Sequence, residues 1–255
     1  MIFYFSATGN TLWAAKYLAD VMGDTLVDMS SVNAFSEYEL GNNERIGFCF
    51  PVHGWRPPVL VRNFIKRIRI RNYNANYCWA LCTAGDDIGL SMEFLVKDLN
   101  RIGISIDSMF SLIMPESYVG LPFMDVDTPQ KELTKKETAQ NLLVNYAEII
   151  KRRERGVTNT YKGRWPWINS YLLGTVFVKW LITDKPFRVE EEKCIRCGTC
   201  ANVCPVGDIN GGRGLIPEWK HNDTCLTCFN CYHHCPTHAI EYGRRTKHKG
   251  QYYFK

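Results

Sequence analysis

The sequence predicts a doubly wound α/β domain with a five-stranded parallel sheet, followed by a small α+β domain that depends on its cysteines. Three observations carry this reading. Apolar runs of strand length alternate with helix-period segments over residues 1–155. The first of those runs ends in a loop of glycine and hydroxyl residues that opens a helix. Eight of the 11 cysteines fall into two copies of one spacing, C-x2-C-x2-C-x3-C-P, late in the chain.

Taken in order, residues 2–5 (Ile-Phe-Tyr-Phe) read as a short buried strand. Ser6-Ala7-Thr8-Gly9-Asn10-Thr11 follows, and then Leu12, Ala15, Leu18, Ala19 and Met22 recur at helix spacing. Residues 25–29 and 46–50 read as the second and third strands, 58–68 as a helix, and 77–82 as the fourth strand. A helix over 91–102, a fifth strand over 105–114 and a final helix over 131–155 complete the alternation. A sheet wound this way collects ligands at the carboxyl ends of its strands.

The first loop is built for an anion. Its backbone N–H groups, the hydroxyls of Ser6, Thr8 and Thr11, and the positive end of the following helix converge on one point. Unlike a Walker A loop it has no lysine or arginine, so it suits a terminal monophosphate held by neutral donors. The loop resembles the phosphate loop of flavodoxins, Ser/Thr-x-Thr-Gly-Asn-Thr, and that resemblance implies FMN. It also implies that the loops after strands three and four hold the flavin ring: Pro51, Val52, His53, Gly54 and Trp55 in one, Thr83, Ala84, Gly85, Asp86 and Asp87 in the other. Trp55 or His53 would stack on or edge the ring, and the Gly54 peptide would be free to flip toward flavin N5. Asp86 or Asp87 would disfavour a negatively charged reduced flavin.

The cysteine runs are Cys194, Cys197, Cys200 and Cys204 before Pro205, and Cys225, Cys228, Cys231 and Cys235 before Pro236. This spacing is the ligand run of bacterial two-cluster ferredoxins, in which the fourth cysteine reaches the other cluster. One [4Fe–4S] cluster is expected on Cys194, Cys197, Cys200 and Cys235, the other on Cys225, Cys228, Cys231 and Cys204. A zinc site needs only four ligands, and a secreted disulfide scaffold is cysteine-dense throughout. Here residues 1–193 hold only Cys49, Cys78 and Cys82, which read as buried small hydrophobes on core strands. With all eight cysteines present, His233 and His234 are expected beside the clusters or exposed rather than ligating.

The formal charge of +5 overstates the basic character. Each cluster with its thiolates contributes roughly −2, so two bring the total to about +1, and a flavin phosphate to about −1. Nucleic-acid binding is therefore not expected. Met1 leads directly into an apolar run and a polar loop, so no secretory leader is expected here and the location reads as cytoplasmic. The apolar stretch 168–182 contains Lys179 and falls short of the ~20 residues of a bilayer span.

The domains read as 1–155, a flavodoxin-like FMN domain; 156–187, an aromatic interdomain helix or dimer interface; 188–243, a 2[4Fe–4S] domain; and 244–255, a basic aromatic tail. Asn210-Gly211-Gly212-Arg213-Gly214 reads as a hairpin turn, and the tail as a solvated end packed by its own aromatics. As a whole the chain resembles the EFR1 family of fused flavodoxin–ferredoxin proteins. That resemblance implies electron transfer between two [4Fe–4S] clusters and FMN, with a ferredoxin-type or reductase partner and no fixed substrate. Two alternatives stay open: a ferredoxin-fed FMN reductase of a small organic or haem-like acceptor, with His53 or Asp86 delivering a proton, and a redox sensor whose flavin site is empty.

Overall fold

The computed structural model describes residues 1–32 and 34–255. Its larger sheet holds β1 (Ile2–Tyr4), β2 (Leu26–Asp28), β4 (Ile46–Pro51), β6 (Cys78–Ala84), β7 (Ser108–Ile113) and β8 (Thr158–Asn159), all parallel, in the order β2-β1-β4-β6-β7-β8. The first five follow the 2-1-3-4-5 order of flavodoxin-like sheets. The two-residue β8 adds a sixth edge strand that the sequence reading did not anticipate.

Side-chain alternation along β6 shows how this sheet acquires two faces. Cys78, Ala80, Cys82 and Ala84 pack under α2 (Val59–Arg67) and α3 (Ser91–Asn100) with Phe64, Ile65 and Leu95. Trp79 and Leu81 point the other way, under α1 (Asn10–Met22) and α4 (Pro129–Lys151) with Leu18, Leu143 and Tyr146. A period of two on a strand buried on both sides demands a helical layer on each face. Gly47 is required by the same packing, because a Cβ there would lie 2.3 Å from the Trp79 ring. The three early cysteines, Cys49, Cys78 and Cys82, are all fully buried in these layers.

The expected helix over 58–68 ends one residue early. Ile68 begins β5 (Ile68–Arg71), which pairs in parallel with β3 (Ser36–Glu39) as a separate two-stranded sheet. Its Ile-Arg-Ile-Arg alternation turns Ile68 and Ile70 inward, while Arg69 and Arg71 reach Glu37. The final helix stops at Lys151 rather than 155, where Arg153 turns left-handed (φ 56°).

Next comes α5, a helix in three consecutive pieces, Ile168–Leu173, Gly174–Val176 and Phe177–Leu181, the first and last π-wound. The small domain then pairs β9 (Phe187–Val189) with β12 (Ile240–Tyr242). Between them lie the one-turn helices α6 (Thr199–Asn202) and α7 (Asn230–His233) and the hairpin β10 (Ile209–Asn210) and β11 (Glu218–Trp219). Its core is aromatic: Phe187 stacks on Trp219 at 5.2 Å and meets Phe229 and Tyr242 edgewise or tilted.

The tail departs from expectation. Instead of forming a solvated end, it is threaded between the two domains. Arg245 donates to Gly120 O (3.0 Å), Lys249 to Val119 O (2.9 Å) and Gln251 to Cys235 O (2.8 Å). Tyr252 is buried, and Phe254 stacks on Trp13 of α1 at 5.1 Å. Of the basic residues, Arg245 and Lys249 act as N–H donors to loop carbonyls of the α/β domain, while Arg244, Lys247 and His248 stay exposed.

Candidate functional site

Each cysteine run folds the same way. A left-handed residue, Gly198 (φ 78°) or Phe229 (φ 58°), starts a one-turn helix that carries the third cysteine inward. The chain then turns at the Cys-Pro step, so the fourth cysteine leaves its own run. Two cavities result. One is lined by Cys194, Cys197, Cys200 and Cys235; the other, of similar size, by Cys204, Cys225, Cys228 and Cys231. Each cavity gathers the first three cysteines of one run with the fourth of the other.

The surroundings fit thiolate ligation. Backbone N–H groups donate to sulfur from Asp208 to Cys204 (3.3 Å), Thr227 to Cys225 (3.3 Å) and Ala239 to Cys235 (3.2 Å). Burial pushes the Cys200 thiol up to about 11 and the Cys228 thiol up to about 12. Such sulfurs ionise only beside a strong positive charge, which iron supplies.

The two cages face different worlds. In the first, Cys197 is exposed and its rim residues Ile195 and Leu215 stand in solvent. The second is pressed against the α/β domain, with Leu226 buried in that domain's core and Cys228 packed on it. Thr183 and Thr227 exchange two hydrogen bonds across this junction, 2.7 and 3.1 Å long.

A cavity of about 1680 Å³, its open mouth included, lies where the strand ends of the larger sheet meet the second cage. Its walls include Ser6, Thr8, Asn10 and Thr11; Pro51 through Trp55; and Thr83 through Asp87. Of the residues read as flavin contacts, Gly9 alone is missing from the lining. It turns left-handed (φ 98°) to start α1, and its outer side is closed by Phe254. No lysine or arginine lines the cavity among the described residues.

The loop has the features a phosphate needs. Ser6 Oγ is buried without a hydrogen-bond partner among the described residues. The start of α1 has no side-chain cap and no acidic residue in its first turn, leaving its N–H groups to an anion. Asn10 serves as a brace: its Nδ2 donates to Pro115 O (3.1 Å), and its Oδ1 accepts from Tyr252 OH (2.6 Å). Phe254 N donates to Thr8 O (2.7 Å). The tail thus holds the loop from behind.

The second loop is clamped by α5. Gly54 is left-handed (φ 56°), and a Cβ there would meet the Phe177 ring at 2.6 Å. Arg56 donates from Nε and Nη2 to Ser170 O, at 2.9 and 2.7 Å. Burial pulls the His53 imidazole down to about 4, so it is neutral at physiological pH and carries no ready proton.

The carboxylate that matters at the third loop is one the sequence reading missed. Asp86 is exposed, and Asp87 is occupied by Gly89 N (3.0 Å). Glu116 instead is half-buried against Gly85 and accepts from the N–H groups of Ser117 (2.9 Å) and Tyr118 (2.8 Å). Desolvation raises its pKa, and the two N–H bonds oppose that rise. Its signal was its place just past the fifth strand, at the end of the sheet where ligands collect. The contributions of Leu173, Val176 and Phe177 from α5, and of Thr227 and Cys228 from the second cage, had no local signal.

His233 is buried rather than exposed. Its Nδ1 accepts from Tyr252 N (3.1 Å), which leaves the proton on Nε2 to donate to Ser117 O (2.6 Å). It thereby links α7 of the second cage both to the tail and to the loop that carries Glu116.

Comparison with known proteins agrees with the cysteine geometry. The profile of a 4Fe-4S dicluster domain matches residues 187–236. The chain therefore joins a doubly wound, flavodoxin-like α/β domain to an iron–sulfur dicluster domain. No curated protein matches the chain. Among solved structures, a flavoprotein from Bacteroides uniformis is similar at 21% identity over 44% of this chain and 88% of that one, with a TM-score of 0.32. Rubredoxin oxygen:oxidoreductase from Desulfovibrio gigas is similar at 18% identity over 60% of this chain and 36% of that one, TM-score 0.35. An azoreductase from Bacillus anthracis is similar at 9% identity over 59% and 98%, TM-score 0.39.

Proposed function

We propose that the chain is an electron-transfer iron–sulfur flavoprotein of the EFR1 type, built from a flavin domain over residues 1–155 and a cluster domain over 188–243. The observation that carries this reading is that Cys228, a cysteine lining the second cage, also lines the same cavity as the Ser6–Thr11 loop and the Pro51–Trp55 loop. When bound, the clusters supply one-electron steps and FMN exchanges a pair of electrons one at a time. The protein supplies position and environment. Ser6, Thr8 and Thr11 hold the phosphate through neutral donors, and α5 fixes the Pro51–Trp55 loop. Glu116 bears on the charge that the cavity tolerates. The solvent-open cage at Cys197 offers the docking point for a ferredoxin-type or reductase partner.

A second reading, reduction of a small organic acceptor, is favoured by one feature: the cavity mouth is walled by Leu173, Val176, Phe177 and Leu181 and leaves apolar room above the loops. Turnover on such an acceptor, beyond electron exchange with a protein donor, would distinguish it.

The test is anaerobic purification with iron, sulfide and flavin quantified, followed by stepwise reduction under visible and electron paramagnetic resonance spectroscopy. About eight irons and one FMN per chain are expected. Eight irons with no FMN retained after its addition would overturn the flavin assignment and favour a redox sensor with an empty site.

A further inference from the structure

Helix α5 buries one polar side chain, Ser170, against the protein and leaves most of its large apolar side chains exposed. Ser170 is fully buried, donating from Oγ to Trp55 O (3.3 Å) and accepting from Leu90 N (2.8 Å). Thr175 Oγ1 accepts from Arg56 (2.6 Å). Outward stand Trp165 (56% exposed), Trp167 (65%), Leu172 (58%) and Trp180 (62%), joined by Ile168 and Tyr171. A contiguous aromatic surface of this kind marks an interaction site.

Charge identifies the occupant. From Tyr161 to Thr183 the chain has no carboxylate, and its only charged residues are Lys162, Arg164 and Lys179. Lys162 is tied to Glu93 of α3, whereas Arg164 lies over the Trp165 ring (5.5 Å) and Lys179 over the Trp180 ring (5.2 Å). Tryptophans flanked by cations, with no acid among them, match the headgroup layer of an anionic membrane. A second copy of the same patch would set cation against cation. We propose that α5 is an interfacial helix that docks on an anionic lipid surface without crossing it. Leu173 and Val176 belong to both this face and the cavity wall, so docking sets the mouth of the cavity at the headgroups.

The test uses the full-length, cluster-loaded protein in co-sedimentation with vesicles of phosphatidylcholine alone and of phosphatidylcholine with about one third phosphatidylglycerol. Binding to the second and not the first, weakened by salt, is expected. Arg164→Glu with Lys179→Glu should cost at least about tenfold in affinity, and Trp167→Ser with Trp180→Ser a similar factor. The cluster absorption band confirms that each variant is folded. If a variant loses that band, quenching of wild-type tryptophan fluorescence by brominated lipid gives the same answer. Absence of both sedimentation and quenching with anionic vesicles overturns the proposal. So does a dimer in solution that Trp167→Ser with Trp180→Ser converts to monomer, since the face would then belong to a second copy.

Discussion

The two cysteine cages share one spacing and one local fold, yet one opens to solvent at Cys197 while the other is sealed against the α/β domain at Leu226 and Cys228. The shared spacing sets the local fold of each cage, and domain packing sets what each one faces. A cage on the surface suits exchange with a partner. A cage whose ligand lines a cavity suits delivery into that cavity.

The largest contrast should come from the ligands themselves. Cys228→Ser and Cys197→Ser should each lower iron from about eight to about four per chain, but only Cys228→Ser should remove the paramagnetic centre that couples to the cavity. Iron assay with spin-relaxation measurements checks this; identical coupling in both variants would break the comparison.

Packing comes next. Leu226→Ala removes a side chain buried in the α/β core and should cost about 3 kcal/mol, whereas Leu215→Ala, at the exposed rim of the other cage, should stay within about 0.5 kcal/mol. Denaturant titration of the two variants measures the asymmetry.

A smaller effect is set by pH. His53 is held down to about 4 by burial, so between pH about 4 and 6.5 the unfolded chain binds a proton that the folded chain excludes. Its contribution to stability is full above that window and is lost as pH falls through it. Unfolding at pH 7 and at pH 5 should show wild type losing about 1–2 kcal/mol more than His53→Gln.

The smallest effect sharpens the link that the second cage alone possesses. His233 and Tyr252 join its helix to Asn10 of the phosphate loop. Tyr252→Phe keeps the ring and deletes one buried hydrogen bond, worth about 1 kcal/mol, so FMN affinity measured by fluorescence quenching should weaken about fivefold.

Much of this organisation was legible in the chain. The five main strands announce themselves by apolar runs, because a strand buried on both faces has little compositional freedom. The cages are readable because ligand geometry constrains spacing. Glu116, α5 and the tail were not. Asp86 and Asp87 stand out as an acidic pair, but the acid packed on Gly85 is Glu116, whose place depends on Gly85 leaving room beside it. The segment of α5 reads as an interdomain helix or dimer interface, and composition alone does not say which side of a helix is covered. The tail reads as solvated because Arg245 and Lys249 find their carbonyl acceptors some 125 to 130 residues away in sequence.

The proposed route brings electrons to the cavity through the second cage. The most direct measurement is the rate of flavin bleaching after rapid mixing of FMN-loaded protein with a reduced ferredoxin-type donor. Wild type should bleach promptly, and Cys228→Ser, with FMN still bound, should bleach at least about a hundredfold more slowly even though its solvent-facing cluster is reduced. Equal rates in the two proteins would contradict the claim.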